Sequence, residues 1–457
     1  MKHVLVKSAA KYAIALSLVW CQAAYSSSVD APSEATRTSA GYAAPEDLMT
    51  AIEADYDANL KDLFEYFHAN PELSFKETKT AKRLADELRA LGYDVTENIG
   101  VTGVVALMEN GPGKTILLRA DMDGLPIKED TDLPYASTKR QVDIDGVEKP
   151  VMHACGHDSH MAGLIGAARA LAARKDQWSG TLVLIGQPAE ERVSGAKAMV
   201  EDGLYDRFPK PDYALSFHAF EGAEAGKIFY KPGIMFSSND SVDITVRGVG
   251  GHGASPQMTI DPVLVASHIV VGLQSIVSRN IAPLEAGVIT VGSIHGGFKH
   301  NVIPEEVKLE LTVRSDNNHV RDMLLKNIKR TAEGIAAGFG VPDDLLPIVE
   351  WGFESTPVTI NDDDTTQIVV DAMLQTLPED QFEVIVREDM GAEDFAYLVA
   401  PNADVKGFYF GVGGTPADEI DKATGHHTAG FKIAPRETIT VGAAGLTIGA
   451  LRLFQGD

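Results

Sequence analysis

The sequence predicts an α/β fold: a large sheet flanked by helices and interrupted by an inserted α+β unit of ferredoxin-like order. Three observations predict it. From Tyr93 onward, short apolar runs alternate with helical segments, the pattern of βαβ winding. The texture changes between 237 and 350, where the predicted order is β-α-β-β-α-β. The α/β pattern then resumes, so the middle unit divides one larger domain into two parts.

The 457 residues are 44% hydrophobic and 23% charged, an ordinary globular composition that can bury a substantial core. Asp and Glu total 65 against 40 Lys and Arg, a formal charge of −25. Such a field repels phosphate, and no basic patch offsets it, so nucleic acid and anionic membrane surfaces are not expected partners.

In chain order, residues 1–26 read as a signal peptide. Lys2, Lys7 and Lys11 precede the apolar run Tyr12 to Cys21, which is too short to span a membrane stably. Cleavage after Ala23 or Ser26 gives a periplasmic or secreted protein with no stable membrane insertion. A lipoprotein through Cys21 is disfavoured, because bulky Trp20 stands where a small residue is needed. Residues 27–44 form a Ser-, Ala- and Thr-rich tether. Cleavage leaves one cysteine, Cys155, so no intramolecular disulfide is expected; the ordinary explanation of such a thiol is burial.

The first part of the larger domain, 45–236, opens with two helices interrupted near Pro71. Leu60, Leu63, Phe64 and Phe67 repeat at helical spacing, then Ala81, Leu84, Leu88 and Leu91 before Gly92. Tyr93 to Val105 reads as strand. Further strands are Thr115 to Arg119, Thr181 to Gly186 and Tyr213 to Phe217, with Gly407 to Gly411 in the second part, 351–457. The insert, 237–350, begins with the alternation Val242, Ile244, Val246 and the Gly-rich GVGGHGASP. A helix from Asp261 to Ser278, strands around Ala286 to Ile294 and Glu306 to Arg314, a helix from Asn317 to Ala337 and a strand near Leu346 to Trp351 complete it.

Sites in open α/β sheets lie beyond the carboxyl ends of strands, so the residues following each run carry the functional signal. There stand Asp121 and Asp123, then Glu190 and Glu191, then His218. Ahead of a helix, HACGHD places Cys155 and His157 around Gly156, a turn that can aim a thiolate and an imidazole at one ion. Asp158 is expected to cap that helix and orient a ligand imidazole. His153 and His160 stay open between supporting and structural roles. Adjacent acids in an irregular turn diverge, so one of Glu190 and Glu191 can bind metal while the other serves as base to a water whose pKa the ion lowers towards about 7. Such a base argues against a metal-storage protein, and the missing resolving cysteine argues against thiol redox chemistry.

RADMDGLP (119–126), HACGHD (153–158), QPAEE (187–191), His218, GHGASP (251–256), NVIP (301–304) and MGAEDF (390–395) occur in that order. With them, the chain from about Ala44 resembles the aminoacylase and carboxypeptidase family of binuclear metallohydrolases, in the amidohydrolase branch that includes hippurate hydrolase. The resemblance implies a mixed-sheet catalytic domain and an inserted lid or dimerisation domain. It implies two divalent metal ions per chain, held by Cys155, His157, Glu191, His218 and a C-terminal histidine. Counting back from Phe431 selects His427, with His426 the alternative. It further implies Glu190 as general base and Asp123 as the acid that orients a ligand, whereas Asp121 stands where other branches place a histidine. His252 would stabilise the oxyanion from a partner subunit in a homodimer, and Asn301 and Arg314 would hold the substrate carboxylate. The expected reaction is hydrolysis of an N-acyl amino acid or related small amide, with carboxypeptidase or dipeptidase action as the alternative. Sulfur, nitrogen and oxygen donors together favour zinc or manganese and admit cobalt or nickel.

Overall fold

The computed structural model describes residues 44–399 and 404–456; the expected signal peptide, Cys21 and all of the tether before Ala44 lie outside the described residues. The large sheet contains β1 (Asp94–Ile99), β2 (Gly103–Asn110), β3 (Lys114–Asp121), β4 (Gly180–Gln187), β5 (Tyr213–Glu224), β6 (Ile228–Tyr230), β11 (Phe382–Val384) and β12 (Lys406–Thr415). The insert contributes β7 (Ser238–Arg247), β8 (Gly287–Gly296), β9 (Glu306–Ser315) and β10 (Ile348–Thr356).

The large sheet runs β1-β2-β4-β3-β5-β12-β6-β11 and is mixed. Its centre is parallel: β3 pairs with β4 and β5, and β5 with β12. These are the four strands whose apolar runs mark them in the sequence, because helices or loops bury both faces. The stretch read as one strand from Tyr93 is instead an antiparallel hairpin of β1 and β2. It turns through Gly100, at φ +60°, where a Cβ would stand 2.5 Å from the Met199 amide nitrogen. The helices His157–Ala172 and Pro435–Phe454 pack on the sheet and on each other. Gly163 and Gly442 let them close on Phe217, since a Cβ at either would lie 2.7 or 2.5 Å from its ring.

The insert is an antiparallel sheet of order β8-β9-β7-β10 with the helices Pro262–Arg279 and Asn318–Gly338, which is the ferredoxin-like arrangement. It has a separate apolar core, in which Val242, Ile244 and Val246 meet Leu309, Leu311 and Val313. Both helices start one residue later than the pattern suggests, because Asp261 and Asn317 are the caps: their side chains accept the amides of Val263 and His319. The boundary expected at 350 cuts through β10, which continues pairing to Thr356 opposite Asn239 after a register shift. Among the described residues, the helix Pro262–Arg279 has the length and composition of a membrane span. One face of that helix, with Val265, Ile269, Leu273 and Ile276, is buried in the insert core.

Candidate active site

The site forms where β3 and β4 end and beside the middle of β5, within which His218 lies rather than after it as expected. Asp123, two residues past β3, organises it. Its carboxylate accepts the amides of Glu190 (3.0 Å) and Glu191 (3.1 Å) and the Ser74 hydroxyl (2.6 Å). Its carbonyl accepts Nδ1–H of His157 at 2.8 Å. That bond fixes the tautomer and leaves the Nε2 lone pair of His157 facing inward. The turn after β4 enters through Ala189 at φ +49° and leaves through Val193 at φ +42°, both left-handed. The two carboxylates do not diverge as expected: an oxygen of each lies within 4.8 Å of the other, at 3.9 Å (Glu190) and 3.8 Å (Glu191) from Nε2 of His157.

The five expected ligands form two triads with Cys155 common to both. Ligand atoms of Cys155, His157 and His218 lie within 4.8 Å of one another, and so do those of Cys155, Glu191 and His427. The Cys155 sulfur is 3.5 Å from Nε2 of His218, whose Nδ1–H donates to the Ala219 carbonyl. Nε2 of His427 is 3.3 Å from Glu191. His426 points otherwise, donating Nε2–H to the same Ala219 carbonyl at 2.9 Å. The donor set fits divalent ions on a direct test: His157 Nε2 and Glu191 Oε1 are buried without a hydrogen-bond partner. Unpaired polar atoms at that depth are costly unless something occupies the space between them. Burial, then Glu191 and Glu190, push the Cys155 thiol well above its ordinary pKa, so a cation must bind for it to become a thiolate.

Cys155, Glu190, Glu191, His218 and His427 line a cavity of ~510 Å³, together with Phe220, Phe236 and, from the insert, Arg314. Arg314 donates to the Met390 carbonyl at 3.1 Å. His252 and Asn301 lie together elsewhere on the insert: Gly253 donates to the Asn301 carbonyl, and neither residue lines this cavity. His252 is exposed, and the Asn301 side-chain oxygen is buried without a partner.

Comparison with known proteins assigns the family. The model of peptidase family M20/M25/M40 matches residues 117–433. The chain belongs to this family. Hippurate hydrolase of Campylobacter jejuni is 38% identical over 345 residues, covering 75% of this chain and 86% of that protein. Thermostable carboxypeptidase 2 of Saccharolobus solfataricus is 36% identical over 350 residues, covering 76% and 83%. The Bacillus subtilis YXEP protein, a dinuclear metal binding peptidase of the M20 family, superposes with a TM-score of 0.70 at 28% identity, covering 89% of this chain and 99% of that one. The M20 chain described here is accordingly a hydrolase of amide bonds.

Around the M20 site stands a buried charge network that sequence reasoning missed. Arg119 is wholly buried and donates to Asp121 (2.7 Å), Glu393 (2.8 Å) and Gln187 (2.9 Å). Glu393 also accepts the Tyr409 hydroxyl at 2.6 Å. Asp121 is thus committed to Arg119 and, at 2.6 Å, to His160. Nε2 of His160 accepts the Ala219 amide, so both its nitrogens are used and its role is support. His153 is buried with neither ring nitrogen partnered, and burial lowers its pKa to about 4, leaving it neutral. Asp158 differs from expectation: Gly156 at φ +88° is the helix cap, and the Asp158 carboxylate pairs with His68 at 2.7 Å. Glu129 takes the other nitrogen of His68 at 3.0 Å. Burial opposes protonation of His68, but the two carboxylates outweigh it and lift its pKa to about 9, so an imidazolium bridges them at neutral pH. Only the motif MGAEDF signalled Glu393; the helix position of His68 carried no signal.

Proposed function

We propose that this M20 hydrolase cleaves N-acyl amino acids, with Glu190 carrying the proton and Cys155, His157, Glu191, His218 and His427 holding two divalent ions. The sharing of Cys155 between two ligand triads, with Glu190 beside them in one cavity, carries the reading. When bound, the ions supply Lewis acidity, polarising the amide carbonyl and acidifying water. Zinc or manganese suits the donors best, with cobalt and nickel admitted. Glu190 takes the proton of the attacking water and returns it to the leaving amine. Asp123 holds His157 and the glutamate turn in place. Arg314 takes the substrate carboxylate, a task for which a planar guanidinium is suited. The apolar wall of Phe220 and Phe236 receives the acyl group.

The carboxypeptidase relative supports a second reading, cleavage of a C-terminal residue from a peptide, because both bonds share one transition state. A panel of N-acyl amino acids and dipeptides separates the two. N-benzoyl and other bulky N-acyl amino acids should show a higher kcat/KM than dipeptides, and the reverse order would favour the peptidase.

The enzyme works as a homodimer built through the insert, in which His252 reaches the partner's site and stabilises the oxyanion. Support comes from the exposed Val263, Leu264 and Val271 on the helix Pro262–Arg279 and from the open edge of β8 beside it. His252→Ala and Glu190→Gln homodimers should each be nearly inactive, whereas a mixture regains activity through hybrid sites that hold both native residues. Mixed dimers that form without activity, or an active monomer, would remove His252 from the reaction.

A further inference from the structure

We infer that Glu77 is a positioning residue for the reaction, its buried carboxyl holding the Glu190–Glu191 turn through the amide of Ala189. The inference rests on the proposed role of Glu190. Glu77 stands at the N-cap of the helix Thr78–Ala90, yet its side chain makes no bond to that helix. Glu72 takes the helix amides of Lys79 and Thr80 instead, both at 2.8 Å. The Glu77 carboxyl is turned across the sheet edge. It accepts the amides of Ala189 (2.8 Å) and Phe75 (2.9 Å) on one oxygen and the Thr102 hydroxyl (2.6 Å) on the other. It is wholly buried and touches neither the cavity nor a ligand atom, so it acts only through the turn.

That turn needs holding. Ala189 has φ +49°, a left-handed conformation that residues with a Cβ disfavour, and it fixes the directions in which the next two carboxylates leave the chain. Three successive amides, of Ala189, Glu190 and Glu191, are received by two buried acids, Glu77 and Asp123. The same acids receive Phe75 and Ser74. Losing the Asp123 carboxylate would release the amides of both glutamates, one of them a proposed ligand, whereas losing Glu77 frees the turn one residue earlier, at Ala189, and leaves those two bonds in place. Glu77 therefore bears on the orientation of the turn without being a ligand itself, while Asp123 still holds the Glu191 amide.

The test compares Glu77→Gln with Glu77→Ala on the best-hydrolysed N-acyl amino acid, using metal-loaded enzyme. Glutamine keeps an oxygen for both amides and donates its NH₂ to Thr102, so kcat should stay within about threefold of wild type. Alanine should lower kcat by roughly 10- to 100-fold, the order expected when a catalytic group is displaced by about 1 Å, with KM and the metal content little changed. In a Glu190→Gln background the alanine substitution should add less than about threefold, because both act on one step. Equal losses in the two variants, or an alanine variant within twofold of wild type, would overturn the inference. If Glu77→Ala does not fold, Thr102→Val decides: a severalfold fall in kcat at constant KM supports the inference, and unchanged kcat overturns it. An active Glu190→Gln enzyme would sink the underlying reading itself; a dead Glu190→Gln beside an active Glu77→Ala would sink this inference alone.

Discussion

Replacing Glu190 with glutamine should leave the fold and both ions in place and lower turnover by about 10²- to 10⁴-fold, the usual contribution of a general acid or base. The side chain is nearly buried, faces the cavity and lies 3.9 Å from the inward nitrogen of His157. Its backbone amide is tied to Asp123, and glutamine does not disturb that tie. Burial, then the neighbouring Glu393 and Glu191, push its carboxyl well above the ordinary carboxylate range. A carboxylate facing the cavity can accept a proton and give it back, whereas an amide can do neither. Steady-state kinetics on samples of known metal content check this, and near-normal turnover with a full metal complement would remove Glu190 from the mechanism.

Cys155→Ala should lose at least one of two ions and, with it, essentially all activity. The sulfur is the one ligand atom common to both triads, so its loss breaks both at once. The site around it is preformed: Gly156 adopts φ +88°, and a Cβ there would lie 3.1 Å from the Ala219 side chain. Wild-type metal affinity should also fall steeply as pH is lowered, because the thiol must release its proton when the ion binds. Elemental analysis of both proteins after gel filtration tests this. Metal content unchanged by the substitution would exclude Cys155 as a ligand.

Much of the architecture was legible because burial on both faces writes itself as continuous apolar runs, and the four central strands are of this kind. The hairpin of β1 and β2 was not, since Asp94–Ile99 is largely polar and half-exposed. The insert's order was readable from alternation in β7 and from the two capped helices, while its far boundary was obscured by β10, which runs on past 350. The site followed the same division. Glu190 and Glu191 were found because strand ends concentrate chemistry, Cys155 and His157 because Gly156 turns the chain between them ahead of a helix, and His218 because it follows an apolar run, although β5 continues past it. Glu77 and His68 were hidden because their partners, Ala189 and Asp158, lie far along the chain, and no local pattern records the pairing; Arg119 and Glu393 stood in quoted motifs, but nothing local joined them. Counting back from Phe431 favours His427 over His426; in the structure His426 is committed to the Ala219 carbonyl, and Nε2 of His427 is 3.3 Å from Glu191.

The most direct measurement is a titration of metal-free wild-type enzyme with zinc or manganese while hydrolysis of an N-acyl amino acid is followed. Activity should be absent without metal and reach its plateau at two ions per chain. A plateau at one ion, or full activity after exhaustive chelation, would contradict a binuclear amidohydrolase built on a shared Cys155.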